Sequence, residues 1–133
     1  MSYYHRRDGV QTKMIKQIAT VAVYVEDQQK ALEFWTQKAG FEVYANHPMG
    51  PAANWIEVGP KGAGSRLVLY PRTMMKNWQE QKASIVFECD DIHQTYERMA
   101  ANGVTFLQAP NQMAWGTYAT FEDVDGNQYL LKG

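Results

Sequence analysis

The sequence predicts an α+β fold in which one supersecondary unit is used twice. Three observations carry this prediction. Residues Thr20 to Gly40 and Ser84 to Gly103 repeat one order: a short strand, an acidic corner, a helix-periodic stretch and a glycine. A strand-like run follows each copy, Phe41-Glu42-Val43-Tyr44 and Val104-Thr105-Phe106-Leu107. The remaining apolar runs alternate with period two, which is the spacing of half-buried strands. A unit of this kind cannot bury its own apolar face, so duplication implies that the two copies pack together. A cleft between the halves is the natural place for a ligand.

Each element has its own punctuation. In the first copy, Thr20 to Val25 is the strand and Glu26-Asp27 the corner, with Asp27 as helix cap. Ala31, Phe34 and Trp35 form the apolar helix face and Gly40 the left-handed stop. In the second copy Asp91 caps the helix, and Gln94 stands where a capping box wants Glu or Gln. Ile92, Tyr96, Met99 and Ala100 form its face, and Gly103 its stop. These acidic caps complement the helix dipole and need no catalytic role. Stretches rich in Pro, Gly and small residues at Asn46–Ala53, Gly59–Ser65 and Ala109–Gly116 read as loops. Asp123 to Asn127 reads as a tight turn, because Asp-Gly supplies positive φ angles. It is not a calcium loop, since no helix flanks it and no glutamate closes a 12-residue loop.

Strand alternation sorts the side chains into two faces. One parity is apolar and forms the predicted core: Val21, Val23, Val25, Ile56, Val58, Leu67, Leu69, Ile85, Phe87, Cys89, Ala119, Phe121, Tyr129 and Leu131. The other parity mixes aromatic rings with single charges: Tyr24, Trp55, Glu57, Arg66, Tyr70, Glu88, Tyr118 and Glu122. A face meeting only water would be more uniformly polar, so this parity reads as a ligand cavity.

Composition narrows the chemistry. A chain of 133 residues with net charge −1 offers no basic surface for nucleic acid or an anionic membrane. No apolar run approaches the roughly 20 residues that span a bilayer. The one cysteine, Cys89, excludes an internal disulfide and suits the reducing cytoplasm. Residues 1–13 are polar and unperiodic and read as a flexible leader, with Met14 an alternative start and the domain at 14–133. The histidines, His5, His47 and His93, fall in the leader, a loop and a first helical turn, without metal-binding spacing. Cys89 has core parity and reads as packing. No nucleophile triad, phosphate loop or cysteine pair is present. Glu57, Glu88 and Glu122 are the carboxylates able to act inside a cavity.

The two corners, Val23-Tyr24-Val25-Glu26-Asp27 and Phe87-Glu88-Cys89-Asp90-Asp91, and the closing turn Phe121-Glu122-Asp123-Val124-Asp125-Gly126-Asn127 resemble the vicinal oxygen chelate superfamily. This group holds glyoxalases, bleomycin-resistance proteins and extradiol dioxygenases. The resemblance runs from about Met14 to Lys132, and the Asp-x-Asp-Gly-Asn turn is its most specific piece. It implies two βαβββ modules, about 14–78 and 79–133, whose curled mixed sheets form a half-barrel cavity. It also implies a homodimer and, in the enzymes, one divalent metal. The family's His and Glu metal ligands fall here on Thr20, Val68, Ser84 and Leu130, none of which offers imidazole, carboxylate or thiolate. The expectation is therefore a metal-free and cofactor-free binding protein that sequesters a planar or cationic small molecule, rather than an enzyme. Tyr24, Trp55, Glu57, Arg66, Tyr70, Glu88, Tyr118 and Glu122 would line its cavity, with Trp115 at the mouth. The alternative is a lyase, isomerase or dioxygenase-like enzyme that uses the cavity carboxylates or a relocated metal.

Overall fold

A computed structural model describes residues 5–7, 10–12, 18–114 and 116–133. Where the sequence suggests a leader, His5–Arg7 (β1) and Val10–Thr12 (β2) pair antiparallel. The first module then runs Thr20–Val25 (β3), Gln28–Glu33 (α1), Glu42–Gly50 (β4), Ala53–Gly59 (β5) and Arg66–Pro71 (β6). The second runs Val86–Glu88 (β7), Ile92–Ala101 (α2), Thr105–Met113 (β8), Gly116–Glu122 (β9) and Gln128–Lys132 (β10). Each is a βαβββ unit folded into a mixed four-stranded sheet, in the orders β3-β6-β5-β4 and β7-β10-β9-β8. The first and last strands of each unit pair parallel, β3 with β6 and β7 with β10.

The repeat extends to register. Ala22 lies opposite Val68 in the first sheet, and Val86 opposite Leu130 in the second. Both pairs occupy the same step of their module, so one hydrogen-bonding scheme serves twice.

The helix ends follow the sequence signals. Asp27 Oδ1 accepts from the backbone N–H groups of Gln29 and Lys30, and Asp91 Oδ1 from that of Gln94. After α2 the Val104 N–H reaches the Met99 carbonyl and the Gly103 N–H that of Ala100, with Gly103 at φ +97°. That is the paired-bond ending a left-handed glycine allows. The first helix departs from expectation, because Phe34–Lys38 is π-helical and the Ala39 N–H reaches back to the Phe34 carbonyl. Phe34 and Trp35 are both buried there.

Two further corrections concern the strands. Asn46–Ala53 and Ala109–Gly116 are largely not loops: β4 and β8 continue through Pro48 and Pro110. Both are edge strands interrupted by register shifts, and a residue lacking an N–H is tolerated at an edge. The strand read from Ser84 shrinks to Val86–Glu88, and Ala100 of the predicted helix face is exposed.

The core parity holds. Val23, Val25, Ile56, Val58, Leu67 and Leu69 of one sheet join Ala119, Phe121, Tyr129 and Leu131 of the other in one buried cluster. Trp35 ties the modules together. It is fully buried, stacks on Phe41 at 5.0 Å, and meets Phe87, Phe121 and Tyr129 of the second sheet at 5.9, 6.4 and 5.1 Å. The apolar faces of both sheets therefore turn inward toward the helices. The alternate residues of each sheet lie on its outer face.

Candidate functional site

On the outer face of the first sheet, the predicted residues form one continuous group. Tyr24 meets Tyr70 edge-on at 6.0 Å, and Trp55 meets Tyr70 edge-on at 6.4 Å. Parallel pairing of β3 with β6 sets Tyr24 directly beside Tyr70. Beyond the indole, Trp55 Nε1 donates a 2.8 Å bond to Glu57 Oε2, and Arg66 Nη1 lies 3.4 Å from Glu57 Oε1. The face thus grades from an aromatic wall to a half-buried ion pair.

Two members of this face escape sequence reasoning. Tyr44 lies under the Arg66 guanidinium, 4.0 Å from ring centroid to Cζ. Its hydroxyl donates to the Pro60 carbonyl and accepts from the Gly62 N–H, which ties the Gly59–Ser65 loop to the strand. His47, predicted in a loop, stands in β4 directly opposite Trp55. Cross-strand partners share a face, so this exposed imidazole borders the aromatic wall. The signal for both was hidden by the register shift between Val43 and Ala45, which breaks simple alternation.

The second sheet carries the other predicted residues. Glu88 is exposed, whereas Tyr118 and Glu122 are half-buried. Register puts Lys132 beside both Glu88 and Tyr118. One chain brings together Tyr24, Trp55, Glu57, Arg66 and Tyr70, and Glu88 lines the same inter-sheet cavity as Arg66. Trp115 lies outside the described residues.

The positions matched to the family's metal ligands lie along the parallel strand pairs. Thr20 stands opposite Arg66, Val68 is 2 % exposed, Leu130 is half-buried, and Ser84 precedes β7. Among the described residues, no three His, Cys, Asp or Glu side chains converge as a metal site. No described helix is long and apolar enough to cross a membrane.

The closing turn forms a buried polar cluster that joins the modules. Asp123 is 5 % exposed. It accepts from the Tyr129 hydroxyl at 2.7 Å, from Asn127 Nδ2 at 3.0 Å, and from the N–H groups of Asp125 and Asn127. Asp125 Oδ1 accepts from the Glu26 N–H at 3.0 Å, reaching the first acidic corner, and Glu26 pairs with Arg72 at 2.9 Å. Burial pushes the Asp125 carboxyl above its ordinary pKa, offset by the Glu26 bond and reinforced by Asp123. Burial and the Asp123 carboxylate push the Tyr129 phenol far above its own. These groups serve as a clasp, which accounts for the motif without catalysis.

Comparison with known proteins places this architecture. The model of the Glyoxalase/Bleomycin resistance protein/Dioxygenase superfamily matches residues 17–130. The chain is 66% identical over 119 residues to the protein YetH of Bacillus subtilis (strain 168), covering 90% of this chain and 99% of YetH. A crystal structure of a superfamily member from Sphaerobacter thermophilus DSM 20745 superposes with a TM-score of 0.82 at 29% identity, over 90% of this chain and 98% of that one. TnmS3, described as an antibiotic binding protein from Streptomyces sp. CB03234, superposes with a TM-score of 0.77 at 32% identity, over 91% and 98%.

Proposed function

The chain belongs to the Glyoxalase/Bleomycin resistance protein/Dioxygenase superfamily, and from that membership we propose that it sequesters a planar or cationic small molecule without a metal. One observation carries the reading: Tyr24, Tyr70 and Trp55 make a continuous aromatic wall that ends on the carboxylate of Glu57. A ring face attracts a cation by about 0.5–2 kcal/mol, and the carboxylate adds charge at a fixed place. The resemblance to an antibiotic binding protein supports the same class of ligand. The side chains of Thr20, Val68, Ser84 and Leu130 suit such a site better than a metal centre, since two are hydrocarbon.

In a single chain the aromatic wall stays partly open, with Tyr24, Trp55 and Tyr70 half-buried. A homodimer in which the Glu88, Tyr118 and Glu122 face of one protomer covers the Trp55 face of the other closes the cavity. Two-fold symmetry would make two such cavities. The single cysteine suits a reducing cytoplasm as the working compartment.

The test is a panel of planar cationic and planar neutral compounds followed by melting temperature and tryptophan fluorescence, with sedimentation and metal analysis of the dialysed protein. Saturable stabilisation by panel members, lost in Trp55→Ala, is expected. One equivalent of bound metal, or a silent panel together with an unfolded Trp55→Ala, would overturn the reading.

A further inference from the structure

Tyr24 stands on β3, the edge strand of the first sheet, and ends the aromatic wall there. A cavity of about 390 Å³ adjoins it at the seam between the modules. Val23 and Tyr24 form one side, Gly126 to Tyr129 another, and the segment linking the modules supplies Trp78, Gln79, Gln81 and Lys82. The volume lies within the range of about 300–1,000 Å³ typical of small-molecule sites. Tyr24 belongs to this lining and also meets Tyr70 edge-on at 6.0 Å, so cavity and wall share a residue.

Carboxamides dominate the polar lining: Gln79, Gln81, Asn127 and Gln128, with Lys82 the single charged side chain. The three glutamines and Lys82 are exposed, so a ligand reaches them without disturbing the core. Asn127 is already oriented, because its Nδ2 donates to Asp123 at 3.0 Å and leaves the carbonyl end of the amide for a ligand. Trp78 is pinned as well: the Arg72 guanidinium lies 4.4 Å from its ring centroid and pairs with Glu26 at 2.9 Å. No carboxylate lines the cavity. Asp123, the partner of Asn127 and Tyr129, is buried and accepts from four groups of its own turn and strand. A cation would therefore find no counter-charge, and an anion would find only an exposed lysine, whose attraction water screens. A hydroxyl group is different. It both donates and accepts, as a carboxamide does, and the Trp78 and Tyr24 rings supply apolar surface beside the amides.

We infer that this cavity receives a neutral, hydroxyl-rich glycosyl group. The ligand is then a glycoside whose planar part lies on Tyr24, Tyr70 and Trp55 and whose sugar extends past Tyr24 into the carboxamide pocket. The inference names the ligand class for the proposed function and rests on that reading for the planar half; the sugar half stands on the cavity itself.

The probes are 4-methylumbelliferone, its β-glucoside, β-galactoside and N-acetyl-β-glucosaminide, and the methyl glycosides of the same three sugars. Affinities come from titration calorimetry, and the pocket is read from the side-chain carboxamide resonances of ¹⁵N-labelled protein. At least one umbelliferyl glycoside should bind roughly tenfold more tightly than umbelliferone, the scale of one or two hydrogen bonds. The double variant Gln81→Ala/Gln128→Ala, at two exposed positions, should remove that advantage. The matching methyl glycoside should move, in the unmodified protein, the carboxamide resonances that this variant lacks. Trp55→Ala should weaken umbelliferone and glycoside alike and keep their ratio. If no glycoside binds more tightly than umbelliferone, the glycosyl assignment is overturned. An advantage that survives in the folded double variant overturns its location. Umbelliferone without binding, beside a methyl glycoside that moves those resonances, refutes the aromatic wall and supports the sugar pocket. Silence from both series refutes both.

Discussion

Trp55 Nε1 donates to Glu57 Oε2 at 2.8 Å, from a residue two positions earlier on the same strand. Same-face neighbours along a strand are two residues apart, so the indole nitrogen reaches an acceptor on its own strand. The bond satisfies the one polar atom of the ring. Glu57 in turn holds Arg66, whose guanidinium covers Tyr44. Aromatic wall and charge are therefore one unit.

Replacing Trp55 by Ala should weaken ligand binding by roughly 1–3 kcal/mol, the scale of one large apolar contact. The fold should survive, because Trp55 is half-buried on the outer face. Titration calorimetry on a panel ligand, with circular dichroism of the variant, checks both halves.

Trp35→Ala should behave in the opposite way. Its ring is fully buried and touches aromatic residues of both modules. A loss of about 3–5 kcal/mol in urea unfolding is expected. A loss below about 1 kcal/mol would contradict its role as the bridge between the sheets.

Tyr129→Phe removes one donor from buried Asp123 while keeping the ring. The carboxylate retains Asn127 Nδ2 and two backbone N–H groups. A cost of about 1–3 kcal/mol is expected from the unmade bond, measured by chemical denaturation.

The Asp125 carboxyl has a pKa raised in the folded state, so the native protein holds its proton more tightly than the unfolded chain. The resulting stabilisation is complete below the ordinary pKa of an unfolded aspartate and is lost as pH rises through the higher folded one. Asp125→Asn keeps an oxygen for the Glu26 N–H and removes the charge. Relative to the parent, it should gain stability from acid to neutral pH, by less than about 1 kcal/mol given its partial exposure. Paired urea melts at acid and neutral pH measure the difference.

Much of this protein is legible in local sequence. Asp27, Asp91, Gly40 and Gly103 mark the helix ends because caps and left-handed stops are satisfied within a few residues. The core parity, from Val23 to Leu131, is legible because side-chain direction alternates along a strand whatever its neighbours. The duplication, and with it the βαβββ plan, follows from repeated order alone. Legibility failed where pairing overrides composition: Pro48 and Pro110 read as loop markers, but edge positions leave their missing N–H groups harmless. It failed again at Tyr44 and His47, whose places depend on a bulge that only the partner strand defines.

Sequence by itself determined which residues share a face; only the tertiary structure decided which faces meet. Trp35 reaches from the first module into the second sheet, and that contact turns both apolar faces inward. Of the outer residues predicted as one cavity, Trp55 and Tyr70 lie on the first sheet and Tyr118 and Glu122 on the second. Alternation is a local property of the backbone, whereas the relative placement of two sheets depends on long-range packing that no single strand encodes.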